Sequence, residues 1–191
     1  MILRSLAIAA GAVTFAAATA GAGSVRFHDR VFPRGAPPGV TGGFGEPTCL
    51  QCHFGGSLNE PGGSLDIDGL PARYTPGEAY RLIVRLRREP LGAAGFQLSA
   101  RTAAGAQAGE LTAGGMQTQV QSGPGGVRYA GHTEAGSSPT APGLAEWEVM
   151  WTAPAHEAGP VRFHASANAG DGDNSPIGDY VYGVEKTVAP R

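Results

Sequence analysis

The chain has 191 residues, with 14 lysines and arginines against 16 aspartates and glutamates, a formal charge of −2. A balance so close to neutral gives no electrostatic footing for nucleic acid or an anionic membrane surface. Glycine (31) and proline (15) are abundant and aromatics few, which favours turns and short strands over helices.

Residues 1–22 read as a secretory signal. Arg4 supplies the positive start, Leu6 to Ala18 are almost wholly apolar, and Ala18-Thr19-Ala20 and Ala20-Gly21-Ala22 are small-x-small cleavage sites. The apolar run is too short and too alanine-rich for a membrane span, and no later segment is apolar enough to be one. The expectation is an exported protein, periplasmic or extracellular, with no membrane span once the signal is removed.

Residues 23–76 read as an irregular segment. Arg30-Val31-Phe32-Pro33-Arg34-Gly35-Ala36-Pro37-Pro38-Gly39 has several positions that fit neither a helix nor a central strand. Inside the segment lies Cys49-Leu50-Gln51-Cys52-His53, which uses both cysteines of the chain. C-x-x-C-H is the spacing of c-type haem attachment. Two thiols can add to the two vinyl groups on one edge of the porphyrin, and the adjacent histidine can supply an axial imidazole. Cys49 and Cys52 are thus the expected covalent anchors of one haem c, and His53 the expected iron ligand. Three other readings use the same residues. An oxidising compartment permits a short-loop disulfide. Half of a thiol zinc site would need a distant further ligand. A thiol–disulfide redox pair would ordinarily sit where a strand meets a helix, and the flanks Gly42-Gly43-Phe44-Gly45 and Gly55-Gly56-Ser57 look like neither.

From Tyr80 the texture changes to period-2 patterning. Tyr80, Leu82, Val84 and Leu86 alternate with Arg81, Ile83, Arg85 and Arg87, which predicts a half-buried strand. Further strands are predicted at 95–101, 117–121, 127–132, around Trp147-Val149-Trp151, at 161–168 and at 179–187. Short strands at this spacing predict an antiparallel β-sandwich over residues 77–191, a mainly β fold. An ordinary small cytochrome c packs helices around its haem. Here the haem motif would instead sit on an appendage, with the haem against the sandwich surface.

Several motifs in order carry a resemblance. Thr75-Pro76-Gly77-x-x-Tyr80, Gly95-Phe96-Gln97-Leu98, Gly131-His132-Thr133, Trp147-x-x-x-Trp151-Thr152-Ala153-Pro154 and Val161-Arg162-Phe163 together resemble the reelin-type (reeler) domain, an immunoglobulin-like β-sandwich. Joined to Gly39-x-Thr41-Gly42-x-x-Gly45-Glu46-x-Thr48-Cys49-x-x-Cys52-His53, the series is similar to the bacterial choice-of-anchor V proteins, in which C-x-x-C-H precedes a reeler-like domain. Their variable C-terminal anchors are not carried over to Val188-Ala189-Pro190-Arg191. The resemblance implies the fold and the place of the motif, and little biochemistry.

A second axial ligand would come from His28, His132, His156, His164, Met116 or Met150. His132 ranks first because it closes a predicted strand, although the reeler resemblance implies a histidine there even without haem. Asp171, Asp173, Asn174 and Asp179 form an oxygen-rich loop that could hold calcium, but it lacks the EF-hand spacing, and turn-forming Asp and Asn explain it as well. Asp66-Ile67-Asp68-Gly69 has the same ambiguity. No nucleophile elbow, zinc-protease motif or phosphate loop is present, so an enzyme is not expected. The leading expectation is an exported monohaem protein that passes single electrons to an unidentified redox partner. The rival is a secreted binding or adhesion module without redox activity.

Overall fold

A computed structural model describes residues 35–191. The signal at 1–22 and His28 lie outside the described residues. Ten strands run β1 (Gly63–Asp68), β2 (Arg73–Tyr74), β3 (Ala79–Arg88), β4 (Ala93–Thr102), β5 (Glu110–Ala113), β6 (Thr118–Ser122), β7 (Arg128–His132), β8 (Leu144–Thr152), β9 (Val161–Gly170) and β10 (Tyr180–Pro190). They form a four-stranded sheet in the order β1-β3-β8-β5 and a six-stranded sheet in the order β2-β10-β9-β4-β7-β6. Every pairing is antiparallel except that of β2 with β10. The mainly β sandwich expected from the alternation is the observed architecture.

The core lies between the sheets and is fed by alternate residues. Leu82, Val84 and Leu86 of β3 and Trp147, Val149 and Trp151 of β8 face Phe96 and Leu98 of β4 and Phe163, Ala165 and Ala167 of β9. Both tryptophans join the sheets. Trp147 stacks on Phe96 with ring centroids 4.6 Å apart, and Trp151 meets Phe163 edge-on at 4.8 Å. Each indole N–H finds a backbone acceptor, Gly136 O at 2.7 Å and Ala108 O at 3.0 Å, as a buried indole must. The outer face of the four-stranded sheet carries charge instead. Arg81 pairs with Glu148 at 2.5 Å, and Arg85 pairs with Glu146 at 2.6 Å and with Asp68. Exposed pairs of this kind add solubility and little stability.

Two differences from the sequence reading affect the site. The sheets start earlier than the alternation shows, because β1 and β2 arise from a stretch that reads as irregular. Leu65 and Ile67 enter the core, while Asp66 and Asp68 face out to Lys186 and Arg85. Those two aspartates are thus solvent-side strand residues and not part of a turn. Further, β4 and β9 are buried on both faces. Their outward residues, Gln97, Ser99, His164 and Ser166, are covered by the chain before β1.

Candidate functional site

The covering is done by residues 35–60, which cross the outer face of the six-stranded sheet from β4 to β10. The chain has no periodicity here and is held by side chains of the sheet. Gln97 Oε1 accepts the N–H groups of Gly39 and Val40, both at 2.8 Å, and Gln97 Nε2 donates to Pro37 O at 2.9 Å. Glu46 then enters a buried polar cluster. Arg101 Nη2 donates to Glu46 Oε1 and, at 2.5 Å, to Tyr129 Oη, whose hydroxyl donates to Glu46 at 2.5 Å. Thr41 Oγ1 donates to the other carboxylate oxygen at 2.6 Å. Burial pushes the Glu46 carboxyl up, but these hydrogen bonds and the guanidinium outweigh it and hold it below the ordinary glutamate range. Burial and the adjacent Glu46 push the Tyr129 phenol up to about 12.

The C-x-x-C-H motif follows immediately. Thr48 caps a 3-10 turn over Cys49–Gln51, accepting the Leu50 N–H, and both Cys52 N and His53 N donate to Cys49 O. The turn is placed over β9, where Cys49 N donates to Ser166 Oγ at 3.2 Å. Cys49 is half-buried and Cys52 exposed, and the two are not joined. Burial pushes the Cys49 thiol up to about 11 despite a hydrogen bond with Ser166. A thiol–disulfide exchange centre needs a lowered thiol pKa, so Cys49 is badly placed for that chemistry.

The histidine of the motif is fixed by a residue far away in sequence. His53 Nδ1 lies 2.6 Å from Asp179 Oδ2, and Asn168 Nδ2 donates to the same oxygen at 3.1 Å. Asp179 is 3 % exposed and stands immediately before β10. The chain beyond His53 is zipped to the loop before Asp179. Phe54 N donates to Pro176 O at 2.6 Å and Gly178 N to Phe54 O at 2.7 Å. Gly55 is required here, since a Cβ would sit 2.0 Å from Asp179 O. Around the motif lie exposed apolar side chains, Phe54 (55 %), Ile177 (71 %) and Leu58, with Phe44 on the approach to it.

His132 ends β7 with its ring over Gly95, whose missing side chain makes the space. Phe96 N donates to His132 Nδ1 at 3.1 Å, and Phe96 O lies 3.3 Å from the same nitrogen. Accepting at Nδ1 puts the proton of the neutral ring on Nε2. Burial lowers the His132 pKa, the Phe96 carbonyl oxygen beside Nδ1 opposes the shift, and the charge of His53 adds to it. His164 faces outward on β9 but is covered by Gly43 and meets the Phe44 ring edge-on at 5.2 Å. In the loop 171–175, Asp171 and Asp173 accept from backbone N–H groups two residues on, at 2.9 and 2.7 Å, which is ordinary turn chemistry. Among the described residues, no group of three or more His, Cys, Asp or Glu side chains converges as a metal cage, and no helix is long and apolar enough to cross a membrane.

The structure therefore sets Cys49, Cys52 and His53 over β9 of the six-stranded sheet, with Ser166 against Cys49 and with Asp179 and Asn168 behind His53. Sequence reasoning finds the first three. It takes Asp179 for a loop oxygen and Asn168 for an outward strand residue, because no spacing rule links Asp179 to His53, 126 positions away.

No family model matches this chain, and no curated protein does. Among solved structures it is similar to the Reelin-N domain of F-spondin at 20 % identity, with a TM-score of 0.48, covering 75 % of this chain and 95 % of that one. It is also similar to a human F-spondin reeler domain at 20 % identity and a TM-score of 0.46, covering 72 % and 95 % respectively. A cohesin module from a Clostridium perfringens glycoside hydrolase is similar at 17 % identity and a TM-score of 0.43, covering 68 % and 96 %.

Proposed function

We propose that this chain is an exported β-sandwich protein that carries one covalent haem c at Cys49 and Cys52, with His53 on the iron, and serves as a single-electron carrier and not an enzyme. The observation that carries the reading is the fixing of His53. An imidazole whose Nδ1 faces a carboxylate holds its proton there, so Nε2 has the lone pair a metal needs. The donor set also fits. Each thiol adds its S–H across one vinyl group, forming a carbon–sulfur bond with the hydrogen going to the other vinyl carbon, so no oxidant is required. Phe54, Leu58 and Ile177 offer an apolar rim to a macrocycle. When bound, haem supplies a one-electron iron couple. The order of motifs similar to choice-of-anchor V proteins points the same way.

The test is the spectrum and mass of protein made in a host with haem-maturation machinery. The expected result is a Soret band that survives acid–acetone extraction and is lost in Cys49→Ser/Cys52→Ser. Colourless, folded wild-type protein under those conditions would overturn the reading.

His132 as second ligand makes a separate prediction. With the ring proton on Nε2, iron coordination would first require the proton to move to Nδ1, toward Phe96 O. The expected result for His132→Ala is therefore a loss of about 1–3 kcal/mol, from orphaning the Phe96 N–H, with the spin state of attached haem unchanged. Conversion from low to high spin would restore His132 as the distal ligand. The lowered pKa adds a pH signature. Below the ordinary histidine value of about 6.5 the unfolded chain takes up a proton that the folded chain resists, so stability falls as pH drops, and His132→Ala should flatten that slope.

A second reading is a binding or adhesion module without redox activity. It is favoured by a core that is complete between the two sheets, and by protein contacts that secure the motif segment. The exposed Phe54 and Ile177 would then meet a protein partner. The mass of the mature protein from its native host separates the two: one haem added, or two hydrogens lost to a disulfide.

A further inference from the structure

We infer that Asp179 is a positioning residue for His53, one that aims the imidazole at iron and biases an attached haem toward its ferric state. The inference rests on the haem-bearing reading and adds the direction in which the protein sets the potential.

A buried carboxylate is costly unless it is fully paired. Asp179 is 3 % exposed, yet among the described residues only one of its oxygens is used. Oδ2 receives His53 Nδ1 and Asn168 Nδ2, while neither Oδ1 of Asp179 nor Oδ1 of Asn168 has a hydrogen-bond partner among the described residues. Among the described residues the ion pair of Asp179 is with His53, and no arginine or lysine shares it. Elsewhere in the molecule buried charge is handled differently: Glu46 has Arg101, Tyr129 and Thr41 on its two oxygens. Asp179 thus directs its charge into one imidazole, from a buried position with little competition.

The placement is rigid on both sides. Asp179 abuts β10, and Asn168 lies on β9, one strand over. His53 follows the Cys49–Gln51 turn and precedes Phe54, whose N–H and C=O are both tied to the loop 176–178. The hydrogen bond is therefore held from both ends and does not depend on a mobile side chain finding its partner.

Its chemical consequence follows from the acceptor. A carboxylate draws the Nδ1 proton more strongly than a neutral carbonyl would, which makes Nε2 a more electron-rich donor. A stronger donor stabilises ferric iron more than ferrous iron and lowers the reduction potential.

The experiment uses holoprotein and two variants of nearly unchanged shape. In Asp179→Asn, the midpoint potential from spectroelectrochemical titration should rise and the iron–histidine stretch in the resonance Raman spectrum of the ferrous form should fall. In Asn168→Ala, which removes the competing donor on Oδ2, both should move the opposite way. Attached haem whose potential and stretch are the same in the wild type and Asn168→Ala, and in Asp179→Asn where it folds, would overturn the inference. Failure of the wild type to bind haem would overturn the haem reading itself. In that event the nitrogen-15 spectrum of His53 still tests the positioning: protonation at Nδ1 supports it, and a ring protonated at Nε2 overturns it.

Discussion

Replacing Arg101 with alanine is expected to cost about 3–5 kcal/mol and to free the C-x-x-C-H segment from the sheet. The magnitude is that of breaking a buried ion pair from one side, where the remaining charge keeps its desolvation cost and loses its compensation. Arg101 is 5 % exposed on β4, and its guanidinium joins Glu46 of the crossing segment to Tyr129 of β7. Without it, Glu46 either stays buried with Tyr129 and Thr41 alone or leaves the face altogether. Leaving is the cheaper response, because the segment has few apolar anchors: Val40 is its one buried hydrophobic residue among the described positions. Denaturant unfolding should show the loss, and limited proteolysis should show new cleavage between Gly39 and Pro47. Joint replacement, Arg101→Met with Glu46→Leu, should recover most of the stability, since an apolar pair carries no stranded charge. If Arg101→Ala and the double variant are equally destabilised, the cluster matters through packing and not charge. The pH dependence has a fixed sign. The Glu46 carboxyl is held low in the folded state, so its contribution is present above the ordinary carboxylate range and is lost as pH falls through the folded value.

The contrast between Arg101 and the core shows what the sequence makes legible. Alternation reports burial on one face, and together with the turn signals between runs it locates seven strands, β3, β4 and β6 to β10. It misses β1, where Leu65 and Ile67 make only two apolar beats beside two aspartates and flanking glycines. It misses β2 and β5 because two- and four-residue strands carry too few beats for a period. The crossing segment fails for a different reason. Its bonds run from its backbone to Gln97 and Ser166, and from Glu46 to Arg101, and such side-chain bonding has no period at all. The polar outward residues of β4 and β9 therefore read as solvent-facing when they are in fact a buried docking surface. The site divides along the same line. Cys49, Cys52 and His53 are legible because attachment chemistry needs them adjacent, whereas Asp179 and Asn168 meet His53 only through the pairing of β9 with β10.

Truncation of Trp151 to alanine should remove a further about 3–5 kcal/mol, and by a route that distinguishes the core from the segment. Trp151 is fully buried on β8, with Tyr74 and Phe163 edge-on at 5.7 and 4.8 Å and Tyr80 stacked at 5.5 Å. Its partners lie on both sheets, so the cavity left by alanine loosens the sandwich as a whole, and Ala108 O loses its donor as well. The near-UV signal of the remaining Trp147 should melt at lower denaturant, and hydrogen exchange of amides 39–54 should accelerate in the same step. The segment is held by the sheet and by the loop 176–178 that leads into it, so it should fail when the sheet fails. In Arg101→Ala the order should differ: amides 39–54 should exchange fast while Leu98, Ala165 and Val149 remain protected. If both variants instead lost all protection together, the crossing segment would be an integral layer of the fold and not a latch upon it. An attached haem would then be held by the whole sandwich, and the Arg101 cluster would set its stability as directly as the core does.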